Sequence, residues 1–266
     1  MFILAAIGLA SVLCLMVGAW LVSLKIQDVS IVDRLWGMNF VVLAGIYFFM
    51  AAEPNIRQCL VLMLVVLWGS RLSWHIHFRN SGHGEDYRYQ AMRSKQGHRF
   101  WWYSLFSVFF LQGLLAWLIG APLFWIFAAR GASLAPTDFL GLLVWGFGFY
   151  FEVAGDRQLK RFKEIPLNRA KVLDQGLWSL TRHPNYFGDA LQWWGLFGFA
   201  LALSWGWVTF FGPLLMTLFL RYVSGVTLLE KTLKNSKPTY AAYCAKTPAF
   251  VPRVKDLVNY FLKGHI

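Results

Sequence analysis

The segment from Lys171 to Trp194 (KVLDQGLWSLTRHPNYFGDALQWW) combines an apolar sequence with many polar side chains. Five of them lie next to a run that is apolar enough to enter a bilayer: Arg182, His183, Asn185, Asp189 and Gln192. A membrane helix tolerates such groups only where they face protein, a cavity or a ligand. Pro184 suits the first turn of a helix, and the polar positions after it recur at helical spacing. We therefore predict a polar stripe along a ligand cavity; ion pairs with a purely structural role are the alternative.

Cations are concentrated just before this segment, in GDRQLKRFKEIPLNRAK from Gly155 to Lys171. Asp156, Lys160 and Lys163 are spaced i, i+4 and i+7, which places them on one face of a helix. Clustered cations suit a phosphorylated ligand, because phosphate oxygens accept several charged hydrogen bonds. Attraction to lipid headgroups, together with membrane topology, is the other interpretation of this cluster, and both stay open.

A third group of polar residues lies in the first half of the chain. Asp86, Tyr87 and Arg88 fall in NSGHGEDYRYQAMR, whose glycines predict a loop that folds over a ligand. Asp33 begins a second apolar run, and Arg71 lies inside a third. A tyrosine can donate a proton or stabilise an oxyanion, and a nearby carboxylate can orient it.

The C-terminal stretch YAAYCAKTPAFVPR, which includes Tyr243, is rich in aromatic residues and prolines. This composition favours a segment packed against the helices over a disordered basic tail.

The six histidines are scattered without metal-ligand spacing. His75 and His77 point to different helix faces, so we expect no metal site.

The composition predicts that a membrane domain positions these side chains. The 266 residues are 58% hydrophobic and only 14% charged, whereas soluble domains carry about 25% charged residues. The formal charge of +12 is compatible with nucleic-acid binding, but the cations lie in loops between apolar runs. We therefore attribute the charge to topology and expect no nucleic-acid partner.

Seven apolar runs are long enough to cross a bilayer, which predicts an all-α integral membrane protein. The spans are predicted at about 2–24, 35–52, 58–78, 101–128, 137–155, 186–203 and 206–229, in a single domain of residues 1–266. Pro122 is expected to kink the fourth span. Loops on one side carry 22 Lys and Arg residues against 2 on the other, which predicts an outside N-terminus and a cytoplasmic C-terminus.

Several motifs resemble the steroid 5α-reductase and sterol reductase superfamily of membrane proteins. They are GLWSLTRHPNYFGDALQWWG, the later LLEKTL and YCAKTPAFVPR. SIVDRLWG, LWGSRL and GEDYRY extend the resemblance, to a bacterial branch of that superfamily, over nearly the whole chain. The resemblance implies a seven-helix reductase of the bacterial inner membrane that binds NADPH in a cavity open to the cytoplasm. Hydride would pass to the carbon–carbon double bond of a 3-oxo-4-ene steroid or similar lipid enone held between the helices.

The resemblance also implies site residues. The family's cofactor contacts fall on Asp156, Lys160, Lys163, Lys171, Arg182, Asn185, Tyr186, Asp189 and Trp193, with Arg221 and Tyr243. To this cofactor set we add the polar residues Arg71, Asp86, Arg88 and His183. The family's substrate-gripping glutamate corresponds to Asp33, whereas its tyrosine position falls on Trp68. Tyr87 is therefore the substitute expected to act with Asp33 in catalysis.

Two other functions share parts of this pattern. A shorter HP-x-Y-x-G motif also occurs in membrane methyltransferases that use S-adenosylmethionine on a lipid or prenylated thiol, and these need no site for a 2′-phosphate. A lipid-binding or scaffold protein would tolerate loss of Asn185 and Asp189. In each case we expect lipids as partners and a monomer or a small homo-oligomer.

Overall fold

The structure is a computed structural model that describes residues 1–130, 133–223 and 225–262, without the side chains of residues 232 and 234–236. All regular secondary structure in these residues is helical. The α-helices are α1 (Phe2–Ile26), α2 (Ile31–Arg34), α3 (Trp36–Met50), α4 (Ile56–Asn80), α5 (Tyr87–Gln96), α6 (Phe100–Ser104), α7 (Leu111–Ile119), α8 (Ala121–Ala128), α9 (Pro136–Glu164), α10 (Pro184–Leu201), α11 (Phe211–Leu218), α12 (Val226–Ser236), α13 (Tyr240–Lys246) and α14 (Val254–Leu262). Short 3-10 turns and two π-helical segments, Leu105–Phe110 and Phe219–Val223, connect some of them.

Among the residues that the structure describes, five helical runs are long and apolar enough to cross a membrane. They are Phe2–Ile26, Ile56–Asn80, Tyr87–Ile119, Pro136–Glu164 and Gly206–Lys231. The predicted second span corresponds to α3, a shorter apolar helix, and the predicted sixth span corresponds to α10. Helix α10 carries Asn185, Asp189 and Gln192, which lower its hydropathy. The chain divides into two compact units, residues 1–138 with 199–212 and residues 139–198 with 213–266.

In the first unit, α3 and α4 pack along most of their length. A side chain at Gly37 would clash with the carbonyl oxygen of Gly69 at 2.3 Å, so the two backbones touch directly. Phe40 and Trp68 pack beside this contact with ring centroids 5.4 Å apart. Trp68, near which the sequence resemblance leads us to expect a tyrosine, is thus part of the buried core.

A buried ion pair links the start of α4 to Asp138 within the first unit. Arg57 donates to both carboxylate oxygens of Asp138 at 2.7 and 2.8 Å, and its second terminal nitrogen also donates to the Ser133 carbonyl. Both charged side chains are only 2% exposed. Because the pair is bidentate, it holds the Arg57 guanidinium and the Asp138 carboxylate in one relative orientation.

Two predicted boundaries around the fourth span differ from the structure. The stretch predicted as a loop becomes helical at Tyr87, because the Asp86 side chain caps α5 by accepting from the backbone of Arg88. The helical run then ends at Ile119, and a new helix, α8, begins after Gly120 with Pro122 in its first turn. The predicted single span at 101–128 is therefore two helical runs.

In the second unit, the C-terminal segment packs against α9 and the start of α10. Phe151, Leu177, Leu180, Phe187 and Tyr260 form one hydrophobic cluster. Phe261 of α14 adds ring contacts to Phe147 and Tyr150 of α9. Tyr240, Tyr243 and Phe250 are buried as well. The prediction of a packed tail is therefore confirmed.

Candidate functional site

Helices α9 and α10 of the second unit pack at backbone contact. A side chain at Gly188 would lie 2.4 Å from the carbonyl oxygen of Gly148 and 2.5 Å from the backbone nitrogen of Glu152. Glycine is required at this crossing because any Cβ would force the helices apart. The close approach presses the polar stripe of α10 against polar residues of α9.

Two amide–carboxylate pairs connect these helices. Asn185 donates to Asp156 at 3.0 Å, and Gln192 donates to Glu152 at 2.7 Å. Asp189, one turn from each amide along α10, is also buried. The carbonyl oxygens of Asn185 and Gln192 are buried and accept no hydrogen bond from the described residues. Such acceptors favour a ligand that brings N–H or O–H donors.

Arg182 connects the segment before α10 to the C-terminal segment. Its guanidinium donates to Glu230 at 2.8 Å and to the carbonyls of Cys244 and Thr247 at 3.1 and 2.7 Å. Its backbone N–H donates to the Pro248 carbonyl at 2.9 Å. Burial acts to lower the pKa of Arg182, but the hydrogen bond and charge of Glu230 outweigh it and raise the pKa. Through its Nε and Nη1 atoms, Arg182 therefore attaches Glu230 and the C-terminal segment to the residues that precede α10.

His183 lies buried beside this arginine. Its Nε2 is 3.3 Å from Glu230, and its ring stacks on Tyr186 with centroids 5.8 Å apart. Burial lowers the pKa of His183, with the positive charge of Arg182 acting in the same direction, although Glu230 opposes both. The imidazole is thus held in its neutral form at pH 7.

Tyr243 of α13 donates its hydroxyl to the carbonyl oxygen of Trp178. Burial raises the pKa of Tyr243, which keeps the phenol protonated. Trp178 in turn donates to the Gly155 carbonyl of α9 at 3.1 Å. This chain of contacts holds residues 176–180 between α9 and α13.

Three of the predicted cations of the second unit lie at its polar periphery. Lys160 and Lys163 are exposed at the end of α9, as the helical spacing predicts, and Lys171 is exposed in the following loop. Arg221 lies in the π-helical segment Phe219–Val223 with its guanidinium 5.2 Å from the Tyr222 ring. Trp193 is fully buried in α10. The second unit thus contains a buried row of acids and amides and a separate set of exposed cations.

The first unit holds a second polar cluster around Asp33. The hydroxyl of Tyr89 donates to one carboxylate oxygen of Asp33 at 2.7 Å, and Arg88 donates to the other at 2.6 Å. Arg88 also donates to Asp86 at 2.8 Å, and Gln112 lies 3.4 Å from the Tyr89 hydroxyl. Burial acts to raise the pKa of Asp86, but the hydrogen bonds and charge of Arg88 outweigh it and lower the pKa.

The structure therefore places Tyr89 at Asp33, not the predicted Tyr87. Tyr87 is 59% exposed at the start of α5, whereas Tyr89 is buried. The sequence contained a signal for this choice, because residues two apart on a helix point in nearly opposite directions. A loop has no such periodicity, so the prediction of a loop here did not distinguish Tyr87 from Tyr89. Arg71 is half-buried on α4, in the same unit.

No group of three or more His, Cys, Asp or Glu side chains among the described residues is arranged to hold a metal ion. The chemistry of both clusters is that of hydrogen bonding and ion pairing.

Comparison with known proteins identifies the family. Residues 19–247 match the family described as "Protein of unknown function (DUF1295)". The chain belongs to the DUF1295 family. It is similar to an uncharacterized protein of Schizosaccharomyces pombe, with 27% identity covering 88% of this chain and 76% of that protein. It is also similar to steroid 5-alpha-reductase DET2 of Gossypium hirsutum, with 36% identity over 70 residues, 26% of each chain.

No solved structure matches this DUF1295 chain significantly. The sequence-based resemblance to steroid 5α-reductases is confirmed at the level of the family. This DUF1295 chain has several helices that are long and apolar enough to span a membrane, and one of the proteins that it resembles is named as a steroid 5-alpha-reductase.

Proposed function

We propose that this protein uses NADPH to reduce the carbon–carbon double bond of a 3-oxo-4-ene steroid or a similar lipid enone. The observation that carries the proposal is the Asn185–Asp156 pair, which joins the RHPNYFGD segment of a steroid 5α-reductase-like family to the polar face of α9. It lies in a helix pair whose polar residues are buried although the helices themselves are apolar.

The residues of the second unit suit a dinucleotide in two ways. The carbonyl oxygens of Asn185 and Gln192, together with the nearby carboxylates, can accept from a carboxamide and from ribose hydroxyls. Lys160, Lys163 and Lys171 are exposed and can extend towards phosphate oxygens. The second unit thus has hydrogen-bond acceptors in its interior and cations at its periphery. This arrangement suits a ligand that has neutral hydrogen-bond donors at one end and phosphates elsewhere.

The Asp33 cluster suits the carbonyl end of an enone. Tyr89 supplies a buried hydroxyl, and Asp33 holds it through a 2.7 Å hydrogen bond. Arg88 pairs with the other oxygen of this carboxylate and also with Asp86, so one guanidinium serves two carboxylates. We propose that Tyr89 takes the role that the sequence assigned to Tyr87, with Asp33 as its positioning partner.

The chemistry of the proposed reaction places a requirement on these groups. When bound, NADPH would supply the hydride that the β carbon of the enone accepts, and water would supply the proton that adds at the α carbon. Negative charge develops meanwhile on the carbonyl oxygen, where a donated hydrogen bond stabilises it. The Tyr89 hydroxyl can supply that bond by turning from Asp33 to the carbonyl, while Asp33 keeps its second oxygen on Arg88.

The membrane arrangement forms part of the proposal. We propose seven spans, the five long apolar runs with α3 and α10, and an outside N-terminus with a cytoplasmic C-terminus. The distribution of Lys and Arg supports this orientation. The bacterial inner membrane is the proposed location, and lipids are the proposed surroundings and substrates.

A direct test incubates the purified full chain in nanodiscs with NADPH and a 3-oxo-4-ene steroid, alongside isoprenoid and fatty enones. We expect a saturated ketone by mass spectrometry and an increase in thermal stability with NADPH but not with S-adenosylmethionine. An S-adenosylmethionine shift without an NADPH shift would instead assign the protein to the methyltransferases. No product with any enone and no NADPH shift would refute the proposal.

A further inference from the structure

A cavity of about 720 Å³ lies within the second unit. It lies between the loop that follows α9, helix α13 and helix α14. Its lining includes Lys171, Tyr243, Lys246, Arg253, Asp256 and Asn259. A cavity of this volume accommodates a small organic ligand. The last three of these residues fall beyond the region that matches the family, which ends at residue 247.

Helix α14 is firmly placed beside this cavity. Leu257, Tyr260 and Phe261 pack into the hydrophobic cluster around Phe151. Tyr260 also hydrogen-bonds Gln158 of α9, which itself accepts from the backbone of Leu177 at 3.0 Å. Because these contacts fix the rotation of the helix, Arg253, Asp256 and Asn259 are directed towards the cavity.

The cavity carries cations that can bind an anion. Lys171, Lys246 and Arg253 contribute three positive charges, and Asp174 and Asp256 contribute two negative ones. Arg253 and Asp256 are 3.8 Å apart at an exposed position, so their ion pair is weak and a stronger acceptor can replace it. The remaining polar lining consists of hydroxyl and amide groups. This donor set suits a phosphomonoester, which carries about −1.5 to −2 charges near pH 7.

We propose that this cavity binds the ribose phosphomonoester of the adenosine end of NADPH, through Lys171, Lys246 and Arg253. This inference rests on the proposed function. Lys171 and Tyr243, which the family resemblance assigns to the cofactor, both line the cavity. NADH lacks the phosphomonoester, so Lys246 and Arg253 set the preference for NADPH. Arg253 would then be a specificity residue supplied by this chain's own C-terminal segment, at the start of α14.

The experiment measures binding of cofactor fragments to the purified full chain by isothermal titration calorimetry. The probes are adenosine 2′,5′-bisphosphate and adenosine 5′-monophosphate, which differ only in the phosphomonoester. The variants are Lys246→Ala and Arg253→Ala, and Lys255→Ala is the matched control. Lys255 is an exposed cation of α14 that does not line the cavity. Thermal unfolding of each variant verifies that it is folded, and Arg253→Lys tests rescue by charge.

We expect the wild type and Lys255→Ala to bind the bisphosphate at least tenfold more tightly than the monophosphate. Lys246→Ala and Arg253→Ala should each lose most of that preference, and Arg253→Lys should regain part of it. Equal binding of the two probes by the wild type, or an unchanged preference in both cavity variants, would overturn the inference.

Two further measurements distinguish phosphomonoester binding in this cavity from nucleotide binding elsewhere and from lipid binding. If NADP⁺ binds and the cavity variants retain full preference over NAD⁺, the proposed function stands and the cavity assignment fails. If no nucleotide binds, both the proposed function and the cavity assignment fail.

Titrations in nanodiscs of phosphatidylcholine and of phosphatidylglycerol test whether a lipid occupies the cavity. Bisphosphate binding that is abolished by phosphatidylglycerol would assign the cavity to a phospholipid headgroup and overturn the nucleotide inference.

Discussion

Tyr89 donates a 2.7 Å hydrogen bond to Asp33, a residue 56 positions earlier in the chain. The bond joins the start of α5 to the short α2 turn, and Arg88 reinforces it by pairing with the other oxygen of the same carboxylate. A buried tyrosine in this setting remains neutral and keeps a proton available to an acceptor. Its position next to a carboxylate distinguishes it from the exposed Tyr87.

The roles of the two tyrosines can be separated by a pair of variants. Tyr89→Phe should lower the rate of enone reduction by about 10²–10⁴-fold, because it removes the donor proposed to stabilise the developing oxyanion. Tyr87→Phe should leave the rate within a factor of about two of wild type. Steady-state turnover of a 3-oxo-4-ene steroid measures both. The reverse result would favour the sequence-based assignment to Tyr87.

The Asn185–Asp156 pair can be tested by exchange of its two partners. Asn185→Asp places a second carboxylate beside Asp156 and removes the amide donor, so NADPH should bind at least tenfold more weakly. Adding Asp156→Asn restores one amide and one carboxylate and should recover part of the affinity. Fluorescence titration with NADPH measures each variant. If the double variant binds no better than Asn185→Asp, the pair does not act as a unit.

The contact between α9 and α10 predicts a steric effect on stability. Gly188→Ala would place a methyl group 2.4 Å from the Gly148 carbonyl oxygen, so the helices must separate at a cost of about 1–3 kcal/mol. Gly146→Ala is the control on α9, because nothing lies within 4 Å of its added methyl group. Thermal unfolding in detergent should show a lower Tm for Gly188→Ala only. Equal Tm values would mean that the close approach is relaxed in the folded protein.

The lowered pKa of His183 predicts a pH effect on stability. The unfolded imidazole titrates near 6.5, whereas the buried one titrates at a lower pH. Between these two values the unfolded chain binds a proton that the folded chain does not, so stability falls as the pH decreases through this window. The effect is absent well above pH 6.5.

His183→Gln removes the titrating group and should make Tm less dependent on pH between about 7.5 and 5.5. The wild type and the variant are compared by thermal unfolding in the same detergent. Parallel Tm curves for the two proteins would show that other groups cause the acid destabilisation.

Local patterns were sufficient to predict most helices. Pro184 marked the start of α10, and the spacing of Asp156, Lys160 and Lys163 placed them on one helix, because both signals are local. The partner of Arg182 was not predictable in the same way. Its contacts to Glu230 and to the C-terminal segment depend on how segments that are distant in the sequence pack together. Local sequence periodicity contains no information about that packing. The contact between Tyr89 and Asp33 was not predicted, because a single helix cap decides whether this stretch is loop or helix.

The bidentate pair of Arg57 and Asp138 has a consequence for the order of synthesis. The two residues are separated by 81 positions, so a ribosome adding about 5–20 residues per second makes Asp138 roughly 4–16 s after Arg57. During that interval Arg57 lacks the carboxylate that it contacts in the finished protein. We expect the early helices to remain in a provisional arrangement beside the insertion machinery until α9 emerges. A nascent chain stalled before Asp138 should therefore be far more accessible to proteases at the start of α4 than one stalled after α9.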